Sequence, residues 1–139
     1  MIVLDTNVLS ELMKGEPAES VVAWVAAQPT SRLFVTAINQ AEILYGIGLL
    51  PDGRRRSAIE AAAKAMFEED FGSRVLAFGS DAAEAYADIA AARRRQGRPI
   101  PQFDAQIAAI ARSTGAALAT RNVADFDGCG VTLVDPWRH

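Results

Sequence analysis

Short apolar runs alternate with helix-spaced apolar positions along the whole chain. Ile2-Val3-Leu4 is an unbroken run, the pattern of a strand buried on both faces of a parallel sheet. Similar runs recur at 32–35, 75–78, 116–119 and 131–134. Between them the apolar residues take helical spacing. Residues 8–13 read as a short helix closed by Lys14-Gly15, and Pro17 opens a second helix that runs to 27. Val21, Val22, Trp24 and Val25 form its apolar face. A helical hairpin thus follows the first strand in place of one crossover helix. A third helix begins near Ile38, and an alanine-rich one covers 54–69. Ser80-Asp81-Ala82-Ala83-Glu84 reads as a helix start with a capping box. Pro99 and Pro101 hold 96–102 extended, so Phe103-Asp104-Ala105 forms the first turn of the next helix, which Gly115 stops. Strands alternating with helices predict a single α/β domain over 1–139: a five-stranded parallel sheet between two helical layers.

Composition narrows the chemistry. Half of the 139 residues are apolar, enough for a core without disulfide staples. Cys129 stands alone; it reads as a small apolar filler and fits a cytoplasmic setting. The one histidine is His139, the last residue, which removes histidine-rich zinc sites and Ser-His-Asp hydrolysis. The opening strand ends in a carboxylate, unlike a signal peptide, and no apolar run reaches the roughly 18 to 20 residues of a membrane span. A formal net charge of −3 argues against a grip on nucleic acid by bulk positive charge. The basic residues are local: Arg54-Arg55-Arg56, and Arg93-Arg94-Arg95 with Arg98 just beyond.

The acids fall where open α/β sheets bind ligands, outside the carboxyl ends of the strands. Asp5 follows the first strand. Glu42 sits in the helix after the second, and Asp104 starts the helix before the fourth. Thr120 to Asp125 is a polar loop after the fourth. Singly, each acid has an ordinary use, Asp5 as a helix cap and the others as partners of a helix dipole. Together they are like charges that repel unless a cation lies between them. An oxygen-rich donor set selects Mg²⁺ or Mn²⁺, and such an ion activates water for attack on a phosphodiester. Asn39, Glu42 and Gly46 share one helical side. Gly46 and Gly48 weaken that helix and are expected to permit close packing.

Leu4-Asp5-Thr6-Asn7, Ala41-Glu42, Pro101-Gln102-Phe103-Asp104-Ala105, Thr120-Arg121-Asn122 with Asp125-Phe126, and the closing Val134-Asp135-Pro136-Trp137 resemble the PIN-domain nucleases. Within these the chain is most similar to VapC-type ribonuclease toxins of the FitB-like branch, and the likeness covers essentially its whole length. The resemblance implies sheet order 3-2-1-4-5, a homodimer, and a Mg²⁺-dependent endonuclease of single-stranded RNA. It also implies a small VapB/FitA-like antitoxin that silences the toxin and carries the complex to operator DNA. Position by position, it makes Asp5, Glu42 and Asp104 the catalytic acids, with the metal on Asp5 and Asp104. Thr6 matches the hydroxyl beside the first acid, and Thr120 lies where a site Ser or Thr is common. Asn122 departs from the pattern, since many members carry a fourth acid there. Asp125, three residues on, is expected to compensate if the segment is helical, and one ion is expected rather than two.

Arg93, Arg94, Arg95 and Arg98 precede Asp104 directly; they read either as contacts to RNA phosphates or as a solvated helix face. Trp24 and Trp137 read as packing residues. The hairpin after the first strand, with Leu44, Leu49 and Leu50, reads either as core or as an antitoxin groove. Thr6 is expected to orient the site and Asn7 to cap the first helix. A reading from another class is a catalytically inert PIN-like module that acts with its antitoxin at DNA. An aspartyl phosphatase fits less well, because Asn7 stands where its second acid belongs.

Overall fold

The computed structural model describes residues 1–139. Strand β1 (Ile2–Leu4) leads into helix α1 (Thr6–Leu12) and then α2 (Glu19–Ala26), the expected hairpin. Strand β2 (Leu33–Thr36), helix α3 (Ala37–Gly48) and helix α4 (Arg54–Ala65) follow, and α4 passes into a π-helical turn at Met66–Phe71. Strand β3 (Val75–Leu76), helices α5 (Ser80–Arg95) and α6 (Gln102–Thr114), and strands β4 (Ala117–Ala119) and β5 (Leu133–Val134) complete the chain. The sheet order is β3-β2-β1-β4-β5, and every pairing is parallel. This is the 3-2-1-4-5 order that the resemblance implies. No helix is long and apolar enough to cross a membrane.

The core forms two layers because β1 alternates. Ile2 and Leu4 pack with Val8, Leu9, Val21, Trp24, Ile43 and Phe67 on one face. Val3 packs with Ile89, Ile107, Leu118 and Phe126 on the other. Successive strand side chains point to opposite faces, so one central strand of three residues joins both halves. Burial of these side chains supplies roughly 1.5–3 kcal/mol each relative to exposure.

Some local expectations change. Helix α5 begins after Gly79 without a side-chain cap, so Ser80 to Glu84 is not a capping box. The capping box lies instead at α3, where Thr36 and Asn39 bond reciprocally. Gly46 and Gly48 permit no close approach within the chain, since a Cβ on either would meet nothing within 4 Å. Cys129 is buried in the second core layer.

Candidate active site

Parallel pairing carries the ends of β1, β2 and β4 to one edge of the sheet. At the tip of β1, Asp5 has extended backbone and caps α1, its Oδ1 accepting the Thr6 N–H at 2.8 Å. Its Oδ2 accepts the Thr120 hydroxyl at 2.7 Å and the Asn7 side-chain amide at 3.3 Å. Thr120 is buried, and its oxygen in turn accepts the Asn122 N–H at 3.1 Å. The cap role expected of Asn7 belongs to Asp5. Asn7 instead bridges Asp5 and Thr120 through its amide and accepts the Arg121 N–H at 3.3 Å.

A second chain of bonds places Glu42. The Thr6 hydroxyl donates to Glu42 Oε1 at 2.8 Å and accepts the Asn39 side-chain amide at 2.9 Å. Asn39 is fully buried, and its Oδ1 accepts both the N–H and the hydroxyl of Thr36 at 2.8 Å. The end of β2 therefore fixes Asn39, Asn39 fixes Thr6, and Thr6 fixes one oxygen of Glu42. Sequence reasoning saw Asn39 only as a neighbour of Glu42. The Thr-x-x-Asn spacing just before a helical run was the missed signal, because Asn can replace the usual Glu or Gln of a capping box.

Asp104 stands in the first turn of α6 and receives no hydrogen bond from the chain. Its carboxyl is raised from 3.8 to about 6, by burial first and then by the charges of Asp5, Glu42 and Asp125. Asp5 and Glu42 are also raised, each by burial first. For Asp5 the bonds from Thr120 and Thr6 oppose that shift. Asp125 is exposed on a 3₁₀ turn, Val123–Phe126, and it adds charge to the group from the rim. Asn122 is exposed at the same rim.

The donor set is carboxylate, hydroxyl and amide oxygen. No three acids converge closely enough to enclose an ion unaided. Magnesium, however, is usually held by one or two carboxylates with several waters retained. Asp5 and Asp104 fit that arrangement, with Glu42 beside them. Asp5 and Asp104 border a cleft of ≈430 Å³ that also takes in Asn7, Asn122, Arg121 and Trp137, and Glu42 lines an adjoining hollow that shares Thr6 and Ser10 with it. The basic rim residues of the cleft, Lys14 and Arg121, had no functional role in the sequence reading.

The arginine run divides. Arg93 is 6% exposed. Its guanidinium donates to the carbonyls of Arg98 and Asp125 at 2.8 Å and of Asp127 at 3.2 Å, and lies 3.7 Å from the Cys129 sulfur. It pins the end of α5 to the loop after β4 and is buried there, so the phosphate-contact reading is wrong for this residue. The helical phase held the clue: Arg93 lies four residues after buried Ile89, itself seven after buried Ala82. Arg94, Arg95 and Arg98 are exposed, and Arg98 makes only a long contact to Asp127 at 3.5 Å.

Comparison with known proteins places this geometry. The family model described as PIN domain matches residues 2–127. VapC ribonuclease Y4jK of Sinorhizobium fredii is 39% identical over 137 residues, which is 99% of this chain and 98% of that protein. Toxin FitB of Neisseria gonorrhoeae is 33% identical over 137 residues, 99% of each chain. A solved structure of FitAB bound to an IR36 DNA fragment superposes with a TM-score of 0.92 at 32% identity, covering 100% of this chain and 97% of that one. With acids at the strand edge, a matching sheet order and relatives aligned from end to end, this chain belongs to the PIN domain family.

Proposed function

We propose that the protein is the toxin of a toxin–antitoxin pair, a divalent-metal-dependent endoribonuclease that hydrolyses phosphodiester bonds of single-stranded RNA. One observation carries the reading. Asp5, Glu42 and Asp104 come from three separate elements to one edge of the sheet, where the charge of Asp5 adds to the raised pKa of Glu42 and the charges of both add to that of Asp104. Placing like charges together in a partly buried site opposes folding. The names ribonuclease and toxin borne by full-length relatives support the same reading.

Asp5 and Asp104 would hold the ion. Bound there, Mg²⁺ or Mn²⁺ would supply a water of lowered pKa and offset charge on the phosphate. The chain's own contributions are distinct. Three donors hold the Asp5 carboxylate in one orientation. Glu42 has one oxygen engaged by Thr6, which leaves Oε2 free to take a proton from the attacking water. Its raised pKa brings it nearer the range that suits a general base.

The antitoxin is assigned to an apolar groove of ≈590 Å³ between α1 and α4, lined by Leu12, Met13, Ile59, Ala62, Met66 and Phe71. An amphipathic segment fits such a groove. Residue 49 is not part of it: Leu49 and Tyr45 are 68% and 67% exposed on the α3 side, and they offer apolar surface for a dimer of toxin chains. With a net charge of −3, this chain would reach DNA through its antitoxin.

The test is growth after induction, with wild type and Asp5→Asn compared in the presence and absence of the antitoxin, alongside RNA cleavage by purified protein in Mg²⁺ or EDTA. Wild type alone should arrest growth and cut RNA only with metal. Normal growth and intact RNA would leave an inert module acting with its antitoxin at DNA.

A further inference from the structure

The cleft beside Asp5 and Asp104 contains one aromatic ring and one cation with no partner of opposite charge. Their meeting follows from the sheet. Strands β4 and β5 pair in parallel with Ala119 against Val134, so the residues just beyond both emerge side by side. The Thr120 N–H extends the ladder to the Val134 carbonyl at 2.9 Å, and Arg121 comes next. Past β5, the Asp135 side chain accepts the Trp137 N–H at 2.9 Å and its carbonyl accepts the Arg138 N–H at 3.0 Å. That turn brings the indole back to β4. The Arg121 guanidinium lies 5.1 Å from the Trp137 ring centroid.

Two other cations near the site are already engaged. Lys14 is paired with Glu11 at 2.9 Å, and Arg93 is committed to carbonyls. Arg121 has no ion pair and its guanidinium makes no hydrogen bond within the chain. Its backbone N–H is held by Asn7, the residue whose amide also holds Asp5. The Arg121 backbone is thus tied to the residue that holds the first acid, while the guanidinium donors stay unused. Arg121, Asn122 and Trp137 also wall a second hollow of ≈460 Å³ on the side of Asp125 and Arg138. An extended strand therefore has a path from the carboxylates across this pair. A planar guanidinium binds phosphate through two parallel hydrogen bonds, and stacking on an indole face favours the cation.

We infer that Arg121 binds the phosphate next to the scissile one, and that Trp137 is the positioning residue that holds the guanidinium in place. The inference rests on the ribonuclease reading above. It gives the acidic site a means to retain a polyanion and a fixed direction for the strand.

The experiment uses purified protein and a short fluorescein-labelled single-stranded RNA of mixed sequence, in Mg²⁺ for cleavage and in EDTA for binding. Arg121 is exposed, so Arg121→Ala should fold. It should raise KM about tenfold, the scale of one lost charge-assisted contact, with the loss carried by KM rather than kcat. The salt dependence of binding should lose about 0.7 in log–log slope, one phosphate for a single strand. Arg121→Lys should keep the slope and lose affinity. Trp137→Leu should reproduce the KM effect and Trp137→Phe should restore it; a residue serving only the core would change melting temperature and leave KM alone. If wild type cuts RNA and Arg121→Ala leaves KM and slope unchanged, the clamp is wrong and the ribonuclease reading stands. If Arg121→Ala weakens antitoxin binding alone, the pair belongs to the antitoxin surface and the clamp is overturned. If wild type neither binds nor cuts RNA, both readings fall.

Discussion

Asp5 and Asp104 share one cleft, yet the protein treats them in opposite ways. Asp5 is 5% exposed and accepts three hydrogen bonds, from Thr6, Asn7 and Thr120. Asp104 receives none and titrates at about 6. Both are raised by burial, but only Asp5 has donors that offset the cost. A carboxylate fixed by its own chain is a geometric reference. One left without donors is stabilised only by something that arrives. The same contrast separates two arginines. Arg93 spends its guanidinium inside the fold, whereas Arg121 presents its donors to the cleft. Groups bonded within the chain set distances in this molecule, while Asp104 and Arg121 keep their full bonding capacity for ligands.

The largest test of that contrast uses the two acids directly. Asp5→Asn and Asp104→Asn should each lower cleavage by about a thousandfold or more, on the scale of losing an electrostatic element of the site. Their effects on the metal-free fold should differ in sign. Asp104→Asn removes repulsion and should raise the melting temperature by about 3 °C, while Asp5→Asn turns an amide NH₂ against existing donors and should lower it. Calorimetry in EDTA reads both, and shifts of the same sign would erase the distinction.

Next in size is Arg93→Ala. Three carbonyls would lose a charged donor, with an expected cost of about 3 kcal/mol in urea unfolding, whereas Arg94→Ala should stay within about 0.5 kcal/mol. A smaller effect, about 1 kcal/mol, is expected for Thr120→Val, which removes the shortest bond to Asp5. Its cleavage should fall with little change in KM, because Asp5 would be less well oriented rather than absent.

The smallest effect is a pH dependence. Asp104 ionises near 3.8 in the unfolded chain and near 6 in the folded one. Between those values the folded state holds the extra proton, so this group's contribution is complete below the unfolded value and is lost as pH rises through about 6. Metal-free wild type should therefore lose melting temperature relative to Asp104→Asn across that window. Mg²⁺ added at pH 7 should restore it in wild type and not in the variant. A parallel pH profile for the two proteins would mean that Asp104 is as well satisfied as Asp5.

Much of this was legible in the chain. Apolar runs marked all five strands, although only β1 is buried at every residue. The acids announced themselves by following strands or opening helices, and parallel pairing then obliges strand ends to share an edge. Less was legible where one residue type serves two ends. Arg93, Arg94 and Arg95 look alike as a run, and only the rotation of α5 sends the first inward. Asn39 looked like an incidental neighbour of Glu42, although its capping partner Thr36 stood three residues before it.

The sequence by itself determined the alternation of elements, the three-layer fold and the identity of the acids, because these follow from local periodicity and from where polar residues interrupt it. Tertiary structure decided which acid is held and which is open, which arginine is spent, and that Arg121 meets Trp137. Those outcomes depend on hydrogen bonds between residues more than thirty positions apart, as Thr6 to Glu42 and Thr120 to Asp5 are. Such bonds have no local signature. They form only when strands from distant parts of the chain are brought into register at one edge of the sheet.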